Sequence, residues 1–66
     1  VMKFNIGDNV VYTFQARSKI YTYFGVVKTY RKKLSYQIFF PKEDIYMWIS
    51  EDFLTLQPRM SKEDLL

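Results

Sequence analysis

Two pairs of adjacent carboxylates are the residues whose type and spacing could support acid-base chemistry. They are Glu43-Asp44 and Glu51-Asp52, and neighbouring carboxyl groups can act as general acid and base. A chain of 66 residues leaves little room for the deep pocket that activates such groups. The sequence has no Cys and no His, which excludes thiolate and imidazole catalysis, disulfides and zinc knuckles. We therefore place both pairs in turns and expect a non-catalytic protein without metal or cofactor.

Aromatic side chains are the more informative chemical group. Six Phe, six Tyr and one Trp make up 20% of the residues. A buried aromatic side chain removes about 150–250 Å² from water, which helps a chain this short to fold without a covalent or metal staple. One small core cannot hide all of these rings. We therefore expect some at the surface, where clustered aromatics usually mark a recognition site.

The charge balance is mildly basic, with ten Lys and Arg against seven Asp and Glu and a net charge of +3. Nucleic-acid binding is compatible with this charge but not required by it. No apolar run reaches the roughly 20 residues of a membrane span, and no signal peptide is evident. We expect a soluble intracellular module, without a membrane partner, that belongs to a larger protein with other domains.

Runs of β-branched and aromatic residues, separated by Gly, Pro and polar clusters, predict five strands. The predicted strands span residues 10–14, 20–30, 34–40, 45–49 and 53–56. A hairpin loop is predicted at 15–19, a basic turn at 31–33 and one 3₁₀ turn at 50–52. Five short strands without a helix favour an all-β fold, a small five-stranded antiparallel SH3-like barrel over residues 1–58. Residues 59–66 are expected to form a C-terminal tail or linker.

Alternation assigns faces to the later strands. In the third strand one face carries Leu34, Tyr36, Ile38 and Phe40. In the fourth strand Ile45, Met47 and Ile49 lie on one side, opposite Tyr46 and Trp48, and Trp48 is expected to be partly exposed.

Other residues are expected to support the core. Gly25, within the second strand, predicts a sharp bend or a close backbone approach. Four phenylalanines are assigned to the core or its edges: Phe4, Phe24, Phe39 and Phe53.

A longer pattern joins these elements. It comprises Phe4-x-x-Gly7 before Val10-Val11, Phe14 at the end of strand one, Tyr21-x-Tyr23-x-Gly25-x-Val27, Tyr36-x-x-x-Phe40, and Ser50-Glu51-Asp52-Phe53-Leu54 before Pro58. In order and spacing it resembles the Tudor domains of the Royal superfamily, especially those of DNA-damage checkpoint mediators and Polycomb-like proteins. The resemblance covers about residues 4–58 and implies an SH3-like barrel.

The same resemblance implies a ligand site. Tudor domains hold methylated lysine or arginine in an open aromatic cage, often with one acidic residue, and ring faces attract such weakly hydrated cations. Carried over by position, the cage comprises Phe14, Tyr23, Phe40 and Tyr46, with Glu43 or Asp44 as the acidic member. The implied partner is a peptide or histone tail, and the implied location is the nucleus.

Three other interpretations remain open. The cage residues could instead fill the core or brace neighbouring strands. A basic rim could bind nucleic acid, with Tyr21, Tyr30 and Trp48 stacking on bases; its members would be Arg17, Lys19, Lys28, Arg31, Lys32 and Lys33. An architectural module could use exposed aromatics to pack on another domain or a second copy.

Overall fold

A computed structural model describes residues 2–31 and 35–57, which form one antiparallel sheet. The strands are β1 (Asn9–Ala16), β2 (Lys19–Arg31), β3 (Ser35–Phe40), β4 (Ile45–Ser50) and β5 (Leu54–Leu56). A 3₁₀ turn, Glu51–Phe53, joins β4 to β5. The predicted all-β, five-stranded antiparallel fold is confirmed. Within these residues no helix is long and apolar enough to cross a membrane.

The strand order is β4-β3-β2-β1-β5, so β4 and β5 are the two edges of the sheet. In the described part of the chain these edges are not paired, and the sheet is open rather than a closed barrel. A register shift between Val27 and Thr29 interrupts the β2–β3 pairing, as a β-bulge does. The topology is compatible with an SH3-like barrel.

The β1–β2 hairpin is longer than the sequence predicts. Ile20 pairs with Gln15 and Lys19 pairs with Ala16, so the predicted loop at 15–19 is wrong and the turn contains only Arg17 and Ser18. Arg17 has φ 58°, because a two-residue hairpin loop requires a left-handed residue to match the twist of its strands. Gln15 and Lys19 are polar, yet they continue the β1–β2 pairing rather than end it.

Several predicted features differ in extent or lie outside the described residues. Strand β5 begins one residue later than predicted, because Phe53 belongs to the 3₁₀ turn that Ser50 caps through the amide of Asp52. Leu34, Lys32 and Lys33 lie outside the described residues, as do Pro58 and the predicted tail at 59–66.

The core lies on one face of the sheet, which we call the inner face. Its buried apolar side chains are Phe4, Val10, Val27, Tyr36, Ile38, Phe40, Ile49 and Leu54. The predicted alternation of β3 is therefore confirmed for Tyr36, Ile38 and Phe40, and the face that they share is the inner one. The opposite side of the sheet is the outer face.

Gly25 lies in β2 opposite Val10, on the inner face, and is buried. A Cβ atom at this position would overlap Ile38 Cγ2 and would lie 2.9 Å from the carbonyl oxygen of Phe39. Glycine therefore lets β2 and β3 approach closely, which confirms the expected close approach.

Two of the four phenylalanines assigned to the core or its edges differ from that expectation. Phe24 pairs with Val11, one residue along from the Tyr12–Tyr23 pair, and alternation therefore turns it to the outer face, where it is 56% exposed. Phe53 lies on the 3₁₀ turn and is also exposed. Phe4 is buried and Phe39 half-buried.

Candidate aromatic binding site

The candidate site lies where the β1–β2 hairpin faces the β3–β4 turn. Strands β1 and β2 place Tyr12 opposite Tyr23 and Phe14 opposite Tyr21. Directly paired residues of an antiparallel sheet share a face, so these four rings follow one another along the inner face. They extend beyond the buried core toward the hairpin turn.

Three rings from three strands are in mutual contact at this end of the core. The ring centroids of Tyr12 and Tyr23 are 6.1 Å apart, those of Tyr12 and Phe40 6.2 Å, and those of Tyr23 and Phe40 6.0 Å. We call this set the aromatic triangle. Phe40 is only 2% exposed, whereas Tyr12 and Tyr23 are half-buried. Phe40 is therefore the buried member of the triangle, whereas the two tyrosines have solvent-accessible surface.

An open cavity of about 390 Å³ lies against the aromatic triangle. It is lined by Tyr12, Phe14, Tyr23, Phe40, Glu43, Ile45 and Met47. Among these described lining residues Glu43 alone carries a charge, and the remainder are aromatic or aliphatic. The structure thus brings together four residues of the cage implied by the sequence: Phe14, Tyr23, Phe40 and Glu43.

The β3–β4 turn determines which carboxylate reaches the cavity. The amide of Asp44 donates to the carbonyl of Phe40 at 2.7 Å, which closes a tight turn immediately after β3. Asp44 has φ 58°, a conformation that Asp tolerates better than most residues. Within this turn Glu43, not Asp44, lines the cavity, and Lys42 is exposed outside the lining.

Tyr46 does not form the expected fourth wall. It pairs with Phe39, whereas Phe40 pairs with Ile45, so alternation along β4 turns Tyr46 to the outer face. Its ring lies 4.7 Å from that of Phe39. Tyr46 is the next aromatic residue after Phe40 in the sequence, but alternation along β4 already sets it on the face opposite Ile45 and Met47.

Tyr12, Ile45 and Met47 are lining residues that the sequence analysis missed. Tyr12 precedes Phe14 by two residues and therefore lies on the same face of β1. Ile45 and Met47 were already assigned to the face of β4 opposite Tyr46. The period-of-two pattern could have identified all three.

The described basic residues do not form one rim. Arg17 and Lys19 lie at the hairpin turn, together with Tyr21. Lys28 and Arg31 lie toward the other end of β2, a strand of 13 residues. On the outer face, the guanidinium carbon of Arg31 is 4.1 Å from the Trp48 ring centroid, and Lys28 Nζ is 5.9 Å from that of Phe39. Trp48 is 40% exposed, as expected.

The cavity lining consists of ring faces, two aliphatic side chains and one carboxylate. Residues 2–31 and 35–57 contain no group of three or more acidic, His or Cys side chains that could hold a metal ion. Ring faces and one carboxylate instead offer diffuse negative potential in an apolar recess. No protein-family model, curated protein or solved structure matches this chain. Fold and site define it as a small all-β domain with an aromatic cavity.

Proposed function

We propose that the chain is a non-catalytic recognition module of Tudor type that binds a methylated lysine or arginine in a peptide such as a histone tail. The observation that carries this proposal is the packing of Phe14 and Glu43 around the same cavity as the aromatic triangle. A methylammonium group has few protons to donate, so ring faces can replace its hydration at small cost. Glu43 adds an opposite charge.

The spacing of the rings suggests how the cation is held. Centroids about 6 Å apart are typical of rings already in contact, so the triangle leaves no gap for a methylated head group between its members. The cation instead lies over the triangle, against the faces of Tyr12 and Tyr23. Phe14, which is 48% exposed, closes one side, while Ile45 and Met47 can contact the aliphatic stem of the bound residue.

The nucleic-acid alternative has weaker support. Of its described members, Arg17 and Lys19 lie at the hairpin turn, whereas Lys28 and Arg31 lie toward the far end of β2, where each already lies over an aromatic ring. A continuous basic track would be expected for phosphate contacts. The cavity, in contrast, combines its apolar walls and its carboxylate in one place.

An NMR titration tests the proposal. A trimethyllysine peptide should shift the resonances of Tyr12, Phe14 and Tyr23, whereas the unmodified peptide and an uncharged tert-butyl isostere should bind more weakly. The isostere matters because it keeps the shape and removes the charge.

A matched pair of variants locates the site. Phe14→Ala should weaken binding by about 0.5–1 kcal/mol, or roughly 2- to 5-fold, the range for a ring at an exposed cation site. Phe24→Ala removes a similarly exposed ring of the same hairpin, but from the outer face, and should leave affinity unchanged. Equal losses in both variants, or equal affinity for the cationic and neutral peptides, would contradict the proposal.

A further inference from the structure

Within residues 2–31 and 35–57, strand β4 is a sheet edge without the usual protection against pairing. Natural edge strands are kept short, interrupted by bulges, or marked by Lys and Pro. β4 has six residues, none of them charged and none of them Pro, and all six pair with β3 without a register shift. The other edge, β5, has three residues.

The side chains of this edge are also unusually exposed. Ile45, Tyr46, Met47 and Trp48 follow one another and are 40 to 59% exposed. Because alternate residues lie on opposite faces, apolar surface is exposed on both sides of the strand. Contiguous apolar surface of this kind usually marks an interaction site.

The order of residues along β4 is symmetric in chemical type. From Ile45 to Ile49 the strand reads aliphatic, aromatic, Met, aromatic, aliphatic. In an antiparallel pair with a twofold axis at Met47, Tyr46 faces Trp48 of the second copy on the outer face. Ile45 then faces Ile49 of the second copy on the inner face, and each Met47 faces its counterpart.

We propose that two copies of this chain associate through antiparallel pairing of their β4 edges, centred on Met47, to form one continuous ten-stranded sheet from two five-stranded sheets. Each copy supplies β4 backbone groups that the described part of the chain leaves unpaired, and each cross-strand pair joins residues of the same chemical type. The absence of charge on β4 removes the like-charge repulsion that often prevents self-pairing.

This register is favoured over its neighbours by the sequence itself. A slip of one residue would place inner-face side chains opposite outer-face ones, which reverses one sheet relative to the other. Centring on Trp48 would pair Tyr46 with Ser50, and centring on Tyr46 would bring Asp44 opposite Trp48. The Met47-centred register alone matches five consecutive apolar residues. It also extends the cavity wall, since Ile45 and Met47 line the cavity.

The first test is sedimentation of the whole chain without peptide, at concentrations up to about 1 mM, the range of weak association. The dimer predicts a concentration-dependent shift from the mass of one chain to that of two. A single-chain mass throughout this range would overturn the proposal. Because no ligand is present, this result is independent of methylated-peptide binding.

The second test uses the absence of native cysteine to read the register. In the proposed dimer the two Met47 positions have Cα atoms about 4.5–5.5 Å apart, within disulfide range. Met47→Cys should therefore cross-link under oxidation. Ile45→Cys, on the same edge and face, separates the two thiols by about 13 Å along the strands and should remain uncross-linked. Equal cross-linking of the two variants, or none in either, would overturn the register.

Discussion

The two aromatic clusters of the inner face use the same residue types in different ways. At one end Phe4 lies edge-on to Tyr36, with ring centroids 5.3 Å apart, and both rings are buried. At the other end the aromatic triangle leaves Tyr12 and Tyr23 half-exposed beside the cavity. One cluster closes the core, and the other leaves ring surface available to a ligand.

The hydroxyl group of Tyr36 shows how the buried cluster is covered. Tyr36 Oη accepts hydrogen bonds from the amides of Lys3 and Phe4, at 3.0 and 3.2 Å. These bonds tie the segment before β1 across the core, and Gly7 secures it further by donating to the carbonyl of Val27 at 2.8 Å. Within residues 2–31 and 35–57, no comparable segment covers Tyr12 and Tyr23. A cluster becomes structural when another part of the chain covers it.

The largest effect is expected from Tyr36→Ala. Truncating a fully buried aromatic residue costs about 3–5 kcal/mol, a large part of the stability of a small domain. Denaturant unfolding should show a greatly lowered midpoint or no folded baseline. Tyr23→Ala, in the half-exposed cluster, should cost clearly less. Equal losses in the two variants would remove the distinction between the clusters.

A milder exchange separates the hydroxyl from the ring. Tyr36→Phe keeps the ring but leaves the amides of Lys3 and Phe4 without their acceptor, which should cost about 1–3 kcal/mol. Tyr23 is half-buried beside the cavity rather than enclosed in the core, so Tyr23→Phe should change stability by about 0.5 kcal/mol or less, near the range of surface substitutions. Both values can be measured by chemical denaturation. A larger loss for Tyr23→Phe would show that its hydroxyl has a structural partner.

The smallest effect is expected from Glu43→Gln, which tests how much the charge at the cavity contributes to binding. The substitution preserves size and removes one charge, so affinity for a methylammonium peptide should fall by about 0.2–1 kcal/mol, as for a solvent-accessible ion pair. The difference from wild type should shrink as salt is raised. Asp44→Asn is the control, because Asp44 lies in the same turn outside the cavity lining. Equal losses of affinity in both variants would indicate that the net charge of the turn attracts the peptide, rather than Glu43 in particular.

Much of the architecture could be predicted because it depends on local patterns. Alternation in β3 predicted that Tyr36, Ile38 and Phe40 share one face, and a glycine inside a strand predicted a bend or a close approach. The hairpin loop was placed wrongly because Gln15 and Lys19 are polar yet pair in the ladder. Pairing satisfies backbone groups whatever the side chains are.

The candidate site was predictable in part. Phe14, Tyr23, Phe40 and Glu43 follow from a resemblance in spacing, and the structure brings them to one cavity. Tyr46 was placed incorrectly because it is the next aromatic residue after Phe40, whereas alternation along β4 sets it on the face opposite Ile45 and Met47. The choice of Glu43 over Asp44 depends on how the turn after Phe40 closes, and residue type does not encode that.

The sequence by itself determined the class of fold, the absence of thiol and imidazole chemistry, and a surplus of aromatic rings over what one core can bury. Only the tertiary structure decided which rings became core and which became cavity. Strand pairing sets the face of each residue, and coverage by another segment sets its exposure. For Tyr36 that cover is the chain at Lys3 and Phe4, whereas Tyr12 and Tyr23 lie where the open sheet leaves the inner face accessible.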